Sequence, residues 1–493
     1  MKRLVFILSC FLLFYPVFAQ QETTHWYYGR NVGLSFRNFP PTPLFDGASS
    51  SPEAIAVTSH RQSGDLLFYS DGVTVWNRQH QVMPHGKDLL GFQTSTQGAL
   101  IVPSVTDEQV YYLFTLTCPR YDIYKTPGLY YSLVDMRLDG GKGDVLATNK
   151  NIQLLPQVTE KLTAVRHTNG RDYWVITHGY DNDLFYVFLL NDQGISAPQT
   201  FQIGTIHNDM TPQLTEAAGY LKASPNGKML ACAVYNELES RPFELYDFDA
   251  STGKIANYRS LGSFFDQYGV SFSPDNSKLY LTVNSQRVPA TTETLVQFDL
   301  SLVQTDGTFP STYLSYPVVI GQNPVAGEEN PNQERPIGLT WALQLGLDGK
   351  LYTSSPYVIN RPNEKAEACQ ISTLEPQLRD RPNRGFQYGL PNFLQESFAN
   401  LPAIDGLGEN CTIEQVFRIG PNPSAGPVII EMQERCRNPY GLKVYTVLGQ
   451  VVYHQMNVTA LSHELVLTSL PAGLYLVEIQ YNQQRKIYKL VKR

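Results

Sequence analysis

Residues 220–234 read YLKASPNGKMLACAV: a β-rich run, a tight turn and a second β-rich run. Pro, Asn and Gly are the residues that hairpin turns require, and apolar and aromatic residues are typical of the flanking strands. The same arrangement surrounds three more turns, at 168–171 (TNGR), 273–278 (SPDNSK) and 346–350 (GLDGK). The sequence therefore predicts a repeated β unit whose first two strands are joined by these turns.

Six copies of this unit follow one another from residue 53 onward. We predict first strands at 53–58, 98–102, 162–165, 220–223, 269–272 and 339–343. Second strands are predicted at 65–69, 110–114, 173–176, 229–234, 279–282 and 351–353, and third strands include 73–76, 184–187, 243–248 and 295–298. β-Branched and aromatic residues dominate these runs, as is usual in strands.

The two ends of this region complete a seventh copy. Residues 389–394 have the pattern of a first strand, whereas 25–28, 33–36 and 42–45 supply second, third and fourth strands. Pairing the strand at 389–394 with the strands near the N-terminus would arrange the copies in a closed ring that has no free sheet edge. We therefore predict an all-β fold, a seven-bladed β-propeller over residues 20–398 that is closed by its N- and C-terminal strands, with six or eight blades left open.

The composition agrees with this prediction and excludes other classes. Hydrophobic residues make up 42% of the 493 residues and charged residues 17%, and the chain contains 36 Gly and 32 Pro. This composition is too rich in aromatic residues for a disordered chain and too rich in turn-forming residues for a helical bundle. The net charge is −7 without a concentrated basic region, so nucleic-acid binding is not expected.

The two termini are predicted to lie outside this ring. Lys2 and Arg3 precede an apolar run that ends at Ala19, which predicts a signal peptide over residues 1–19. No later run has the length of a transmembrane helix. A linker is predicted at 399–411, and some seven short strands at 412–493 predict a small Ig-like β-sandwich.

Residues 25–398 also resemble exported β-propeller proteins of the Bacteroidetes. The resemblance lies in 26–29 (WYYG), 71–77 (DGVTVWN), 95–97 (STQ) with 101–103 (IVP), 159–165 (TEKLTAV) and 389–393 (GLPNF). It implies a propeller of secreted, often multidomain surface proteins, and it carries no defined reaction.

The tail resembles the C-terminal sorting domain of type IX (Por) secretion, with motifs at 421–426, 444–451, 470–475 and 489–493. Thr446 stands where this family usually has Asp. The motif residues are Pro421, Asn422, Pro423, Gly426, Gly449, Gly473, Tyr475 and Lys489. The resemblance implies passage through the periplasm, recognition of residues 412–493 by the type IX secretion machinery, and a secreted or outer-surface location.

Candidate site residues come from the expected ends of the innermost strands. Residues that enter these strands, together with adjacent loops, form one mouth of a propeller channel. The candidates are Glu53, Asp71, Gln97, Glu160, His178, Tyr268 and Asn392. Carboxylates with an imidazole can bind a cation or act as general acid and base. The alternative is that these side chains only satisfy the polar groups of strand ends.

Cysteine and metal patterns add little to this picture. The sequence has no metal-ligand spacing, so we predict no metal and no cofactor, while leaving room for a structural cation. Cys411 and Cys436 are the candidate disulfide, and Cys232 is predicted to be a small buried hydrophobe.

These observations predict a secreted or surface-bound binding or adhesion module without enzymatic activity, with an extracellular protein or glycan as its unknown ligand. The alternative is an extracellular hydrolase or lyase acting on glycan or peptide, with Glu53, Asp71, Glu160 and His178 at its centre. A structural component of a surface layer is a third hypothesis. Fold alone does not choose among them.

Overall fold

The described residues fold mainly into antiparallel β-sheets, which confirms the predicted all-β class. Among the residues that the structure describes, no helix has the length and apolar composition needed to cross a membrane. The computed structural model describes residues 21–118, 127–208, 216–283, 292–302, 309–317, 320–321, 335–336, 342–355, 357–373, 387–399, 401, 413–432, 440–458, 460, 462–467, 470–481 and 484–493.

The N-terminal half forms four sheets, in which most strands pair with their neighbours along the chain. The first two sheets contain β1 (His25–Tyr28), β2 (Val32–Ser35) and β3 (Thr42–Leu44), then β4 (Ala56–Ser59), β5 (Leu66–Ser70) and β6 (Val75–Asn77). The third contains β7 (Ala99–Pro103), β8 (Val110–Thr117), β9 (Gly128–Asp135), the helical turn α1 (Leu138–Gly141), β10 (Asp144–Val145), a 3₁₀ turn (Ala147–Asn149) and β11 (Ile152–Leu155). The fourth contains β12 (Val158–Arg166), β13 (Tyr173–Gly179), β14 (Asn182–Asn191), β15 (Gly194–Ile195) and β16 (Gln199–His207).

Three four-stranded sheets and one short pair of strands follow. The first two of these sheets contain β17 (Leu221–Ala223), β18 (Met229–Cys232), β19 (Arg241–Asp249) and β20 (Lys254–Phe264), then β21 (Gln267–Phe272), β22 (Lys278–Val283), β23 (Thr292–Asp299) and β24 (Ser311–Pro317). The short pair is β25 (Ile320–Gly321) and β26 (Arg335–Pro336). The last sheet contains β27 (Leu343–Leu345), β28 (Leu351–Thr353), β29 (Tyr357–Ile359) and β30 (Ile371–Thr373), with 3₁₀ turns at Ala366–Cys369 and Gln395–Phe398.

The hairpins predicted from turn residues occur where the sequence places them. β17 pairs with β18 around residues 224–228, with Leu221 opposite Cys232, and β27 pairs with β28 around residues 346–350. Gly227 and Gly349 have φ of 67° and 70°, in the left-handed region that favours glycine. The local turn chemistry therefore determines these pairings.

The first strands of successive sheets are spatial neighbours, in the order β4, β7, β12, β17, β21 and β27. Backbone hydrogen bonds join their entrances: the Gln97 N–H donates to the Glu160 carbonyl, and the Glu160 N–H donates to the Ala217 carbonyl (3.1 and 3.0 Å). The Tyr220 N–H similarly donates to the Tyr268 carbonyl at 3.0 Å. The sheets therefore meet at their first strands, around a shared centre.

The segment 388–394 connects the last of these sheets to the beginning of the chain. The Tyr388 carbonyl accepts from the Ala342 N–H (3.2 Å), and the Gly389 N–H donates to the Pro52 carbonyl (3.1 Å). A Cβ on Gly389 would lie 1.8 Å from the Glu53 carbonyl oxygen, so this approach requires glycine. The chain ends thus meet through the predicted segment.

The prediction of a regular strand at 389–394 is wrong. This segment is extended but not part of a ladder, and the Asn392 N–H donates to the Ile55 carbonyl at 2.9 Å. Pro391 has no N–H to continue a ladder, which explains the irregular pairing. Side-chain packing adds to the contact where the backbone ladder is missing, because the ring centroids of Phe393 and Trp26 lie 5.8 Å apart.

Residues 413–493 form two sheets around a core of their own. One sheet orders β31 (Phe417–Gly420), β32 (Val428–Met432) and β35 (Ser462–Leu465); the other orders β34 (Val451–Val458), β33 (Tyr440–Thr446), β36 (Gly473–Tyr481) and β37 (Gln484–Lys492). The sequence predicts the first short strand of this tail at 413–418, which is wrong over its first four residues, because Ile413–Val416 forms the helical turn α2. Ile413 and Val416 are both buried, three positions apart, as one face of a helical turn allows. Cys411 and Cys436 lie outside the described residues.

Replacing Phe393 by Ala tests the closing contact. Phe393 is buried against Trp26 and Phe398, so Phe393→Ala is expected to lower the free energy of unfolding by about 3–5 kcal/mol. Urea unfolding followed by Trp fluorescence measures this change. The control is Leu238→Ala, whose side chain is 56% exposed, with an expected change below about 0.5 kcal/mol. Equal effects of both substitutions would contradict the packing described here.

Candidate functional site

Six of the seven predicted mouth residues belong to one connected polar network. The Tyr268 hydroxyl donates to Glu53 Oε2 at 2.7 Å and also contacts the Thr96 side chain. The Thr96 N–H and hydroxyl both donate to Glu160 Oε2 at 2.9 Å. Glu160 and Tyr268 are buried, whereas Glu53 is partly exposed. The two carboxyl groups are therefore linked through Tyr268 and Thr96.

The Gln97 and Asn392 side chains bind the backbones of neighbouring first strands. Gln97 Oε1 accepts from the Leu221 N–H (2.7 Å) and the Leu162 N–H (3.3 Å), while its Nε2 donates to the Leu221 carbonyl (3.0 Å) and Asn392 Oδ1 (3.2 Å). Asn392 Nδ2 donates to the carbonyls of Leu162 (3.0 Å) and Ala99 (3.3 Å). These two side-chain amides therefore satisfy backbone N–H and carbonyl groups of the first strands, which agrees with the alternative that the candidate side chains only satisfy polar groups of strand ends.

Asp71 joins the network only at its margin. Its Oδ1 accepts from the N–H groups of Val73 (2.9 Å) and Thr74 (2.7 Å), and its Oδ2 accepts from the Gln93 side chain. Burial raises the pKa of this carboxyl. The Gln93 carbonyl in turn accepts from the Glu53 N–H at 3.1 Å. Asp71 therefore stabilises its own turn, as Asp does in Asx turns.

His178 lies apart from the other candidates. Its ring is fully buried and stacks on that of His207, with centroids 3.9 Å apart, and its Nδ1 lies 2.8 Å from the Gly179 carbonyl oxygen. Of the four residues of the predicted catalytic group, Glu53, Asp71 and Glu160 therefore belong to the mouth network, whereas His178 lies outside it.

Two buried lysines on first strands were missed by the sequence reasoning. Lys161 Nζ donates to the carbonyls of Glu216, Ala217 and Ala218 (2.9, 3.0 and 2.7 Å). Lys222 Nζ donates to Gln344 Oε1, and burial lowers the pKa of Lys222 to about 7. For Lys222, the available signal was a lysine inside the predicted first strand at 220–223.

A cavity of about 290 Å³ lies at the other ends of the first strands. Of the predicted mouth residues, only Asn392 lines it. The walls come from the N-terminal segment, the ends of β4, β7 and β12, and the closing segment. They include Glu22, His60, Arg61, Ile101, Ser104, Tyr111, Arg166, Tyr173, Phe393 and Glu396.

Charged groups in this cavity form two loose ion pairs. Arg166 Nε lies 3.6 Å from Glu396 Oε1, and Arg61 Nε lies 3.4 Å from Glu22 Oε1. Within the described part of the chain, Arg166 Nε, Glu396 Oε1 and Glu22 Oε2 are buried atoms without a hydrogen-bond partner. Burial raises the pKa of Glu22 and of Glu396, and the negative charge of Glu22 raises the pKa of Glu396 further.

Residues of the cavity are held by their strands and by stacking. The Arg166 guanidinium lies 5.1 Å from the centre of the Tyr173 ring, and its Nη1 donates to the Gly170 carbonyl at 3.1 Å. Glu396 belongs to the 3₁₀ turn Gln395–Phe398 that follows the closing segment. These charges come from distant parts of the sequence, which is why no local motif identified them.

The sorting motifs of the tail contact one another. Asn422 Nδ2 donates to the Lys489 carbonyl (2.7 Å), and Asn422 Oδ1 accepts from the Val491 N–H (2.9 Å). Gly449 has a φ of 84° in the turn after Thr446, whose hydroxyl accepts from the Gln450 N–H (3.3 Å). Thr446 therefore supplies a side-chain oxygen acceptor at the position where the family usually has Asp.

Comparison with known proteins identifies the tail. Residues 418–493 match the secretion system C-terminal sorting domain, Por_Secre_tail. No curated protein sequence matches the chain significantly. The match carries the type IX sorting tail, so the protein is exported to the cell surface or secreted.

Similar solved structures include the periplasmic gluconolactonase of Pseudomonas aeruginosa, with 11% identity, 84% of this chain and 99% of that chain covered, and a TM-score of 0.35. A protein from Lactobacillus plantarum has 12% identity, coverages of 83% and 98%, and a TM-score of 0.36. A gluconolactonase of Xanthomonas campestris has 14% identity, coverages of 66% and 87%, and a TM-score of 0.30. At these TM-scores the likenesses carry no argument about this chain.

Lys222 is expected to make stability depend on pH. Its pKa is lowered from 10.5 to about 7 in the folded chain, so between these values the unfolded chain binds more protons and the free energy of unfolding rises with pH. Lys222→Met should reduce this rise by up to about 1.4 kcal/mol per pH unit between pH 7 and 9. Urea unfolding at several pH values measures it. Lys228→Met, at an exposed position, is the control and should retain the wild-type slope; loss of the slope in both variants would contradict the assignment.

Proposed function

We propose that this protein is a non-enzymatic binding module that type IX secretion delivers to the cell surface or medium. In this proposal residues 1–19 are a signal peptide, 20–398 a seven-bladed β-propeller, 399–411 a linker and 412–493 an Ig-like sorting domain. Export rests on the match of residues 418–493. The rest is argued from the contacts of the described residues.

The order of the sheets supports the propeller. Six sheets with first strands β4, β7, β12, β17, β21 and β27 follow one another around a shared centre. The sheet of β1, β2 and β3 is the seventh, and segment 388–394 takes the place of its innermost strand. Hydrogen bonds from this segment to Pro52 and Ile55, and its ring contact with Trp26, support closure at this point.

The observation that carries the binding proposal is the set of charged side chains that line the 290 Å³ cavity, of which Glu22, Arg166 and Glu396 are 18–22% exposed. Their ion pairs are loose, at 3.4 Å from Arg61 Nε to Glu22 Oε1 and 3.6 Å from Arg166 Nε to Glu396 Oε1, so a polar ligand can add charge-assisted hydrogen bonds to these groups. The Arg166 guanidinium can donate, while Glu22 and Glu396 can accept or, when protonated, donate. The mouth network, in contrast, is largely satisfied internally.

The cavity suits a small polyhydroxylated ligand such as one sugar unit of a glycan. Its volume is at the small end of ligand sites. Hydroxyl groups can both donate to the carboxyl oxygens and accept from the guanidinium groups of Arg61 and Arg166. The rings of Tyr111, Tyr173 and Phe393 in the walls add the apolar surface that a sugar face requires.

A second candidate function is cleavage of an extracellular glycan by a hydrolase or lyase reaction. Its supporting observation is that Glu22 and Glu396 share the cavity and have raised pKa values, as general acids require. The group of Glu53, Asp71, Glu160 and His178 that the sequence predicts gives weaker support, because His178 lies outside the network that contains the three carboxyl groups. Release of new reducing ends from a bound glycan would favour this candidate, provided that Glu396→Gln abolishes the release.

Binding is tested by replacing the charged groups of the cavity. We expect the full-length protein to bind a member of a glycan panel, and Arg166→Gln to weaken that binding at least about tenfold, because it removes a charge-assisted hydrogen bond. Calorimetry on the best panel member measures affinity. Arg259→Gln, which removes an arginine paired with Asp247 outside the cavity, should leave it unchanged. Unaltered binding by the Arg166 variant would reject the cavity as the site.

Export is tested in the native host by deleting residues 418–493. We expect the shortened protein to accumulate in the periplasm and to disappear from the surface and medium, because the sorting domain is lost. Immunoblots of cell fractions measure the distribution. Val466→Ala, at a position 54% exposed in the same domain, is the control and should be exported normally. Continued appearance of the deletion variant outside the cell would disprove the role of this domain.

A further inference from the structure

A nitrogen, a sulfur and an oxygen ligand type come together at the boundary between two sheets. His207 is the last residue of β16, while Cys232 and Glu244 lie directly opposite each other on β18 and β19 of the next sheet. One potential ligand atom from each of the three residues lies within 4.8 Å of the other two. All three side chains are completely buried.

Neighbouring groups orient the carboxyl group of this cluster. Glu244 Oε1 accepts from the Thr205 N–H (3.0 Å) and hydroxyl (2.6 Å). Glu244 Oε2 accepts from the Tyr246 hydroxyl (2.8 Å) and lies 3.1 Å from His207 Nε2. Such outer hydrogen bonds fix the position of metal-binding side chains in known sites. The bonds from Thr205 and Tyr246 therefore hold the Glu244 carboxyl group in place, and this carboxyl group in turn contacts the His207 ring.

Two imidazole nitrogens at the cluster have no partner. Among the described residues, His207 Nδ1 and His178 Nε2 are buried and make no hydrogen bond. The two rings are stacked, with an interplanar angle of 20°. Buried polar atoms are nearly always satisfied in folded proteins, so the orphaned nitrogen of His207 beside a thiol and a carboxyl group requires an explanation. A metal ion bound by the His207 ring provides one, whereas His178 is not one of the three grouped ligands.

We propose that His207, Cys232 and Glu244 bind a divalent transition metal ion, for which Zn²⁺ is the best match. Thiolate, imidazole and carboxylate are all common zinc ligands, whereas Ca²⁺ and Mg²⁺ require mainly oxygen. A thiolate and a carboxylate together neutralise the two charges of the ion. Lys161, a further cation that acts electrostatically on His207 and Cys232, remains bound to three backbone carbonyls.

The cluster supplies three of the four ligands that Zn²⁺ usually takes, and we assign the site a structural role. Complete burial of its ligands leaves no route for a substrate within the described residues. Because His207 belongs to one sheet and Cys232 and Glu244 to the next, a bound ion cross-links two consecutive sheets. A cross-link of this kind stabilises the folded chain through ligand binding to the native state, independently of what the cavity binds.

The experiment measures metal in the full-length protein, purified without chelators or added metal. We expect about one Zn²⁺ per chain by elemental mass spectrometry, and less than about a tenth of that in Cys232→Ser, because one of three ligands is lost. Cys369→Ser, which replaces another buried free cysteine, should keep the wild-type content. After exchange with Co²⁺, wild type and Cys369→Ser should show a thiolate-to-cobalt charge-transfer band that Cys232→Ser lacks.

Two outcomes would overturn the proposal. The first is a Cys232→Ser variant that folds and retains the metal content and the cobalt band of the wild type. The second is a wild-type protein that contains no transition metal, takes up no Zn²⁺ on titration and has the same thermal midpoint with and without a chelator. The second measurement needs no variant, so it decides the matter even where Cys232→Ser fails to fold.

Discussion

The meeting of segment 388–398 with the beginning of the folded chain is the constraint on which the other features depend. The Gly389 N–H reaches the Pro52 carbonyl, and Phe393 packs on Trp26. Without this contact the backbone groups of Pro52, Ile55 and Ala342 would lose their hydrogen-bond partners in the segment. The same segment places Asn392 among the first strands and brings Glu396 to the cavity, so the closure also assembles the candidate site.

Convergence of the first strands explains why the centre of the molecule is polar. Each strand entrance brings backbone N–H and carbonyl groups to a region with little access to water, and those groups require partners. Gln97 and Asn392 serve because an amide both donates and accepts, and Lys161 serves by donating to three carbonyls. The side chains of the mouth residues are therefore largely hydrogen-bonded, whereas the cavity at the other strand ends is lined by two loose ion pairs of 3.4 and 3.6 Å.

The described residues thus divide into parts with different physical roles. The sheets hold side chains in fixed positions, the cavity exposes charged groups to a small volume, and the buried cluster at His207 joins two neighbouring sheets. The tail has its own hydrophobic core, in which Asn422 connects an early motif to the final strand. In the proposed function, recognition for export and binding of a ligand are therefore assigned to separate sets of residues.

The sequence by itself determined the β class, the hairpins, the sorting tail and most members of the mouth network. These depend on local turn residues such as Gly227 and Gly349, on short motifs, and on strand register, all of which are written in neighbouring residues. Only the tertiary structure decided the irregular pairing at Pro391, the cavity of Glu22, Arg61, Arg166 and Glu396, and the cluster of His207, Cys232 and Glu244. Those arrangements arise from contacts between residues far apart in the chain, and their distances depend on how the sheets pack, which no local pattern encodes.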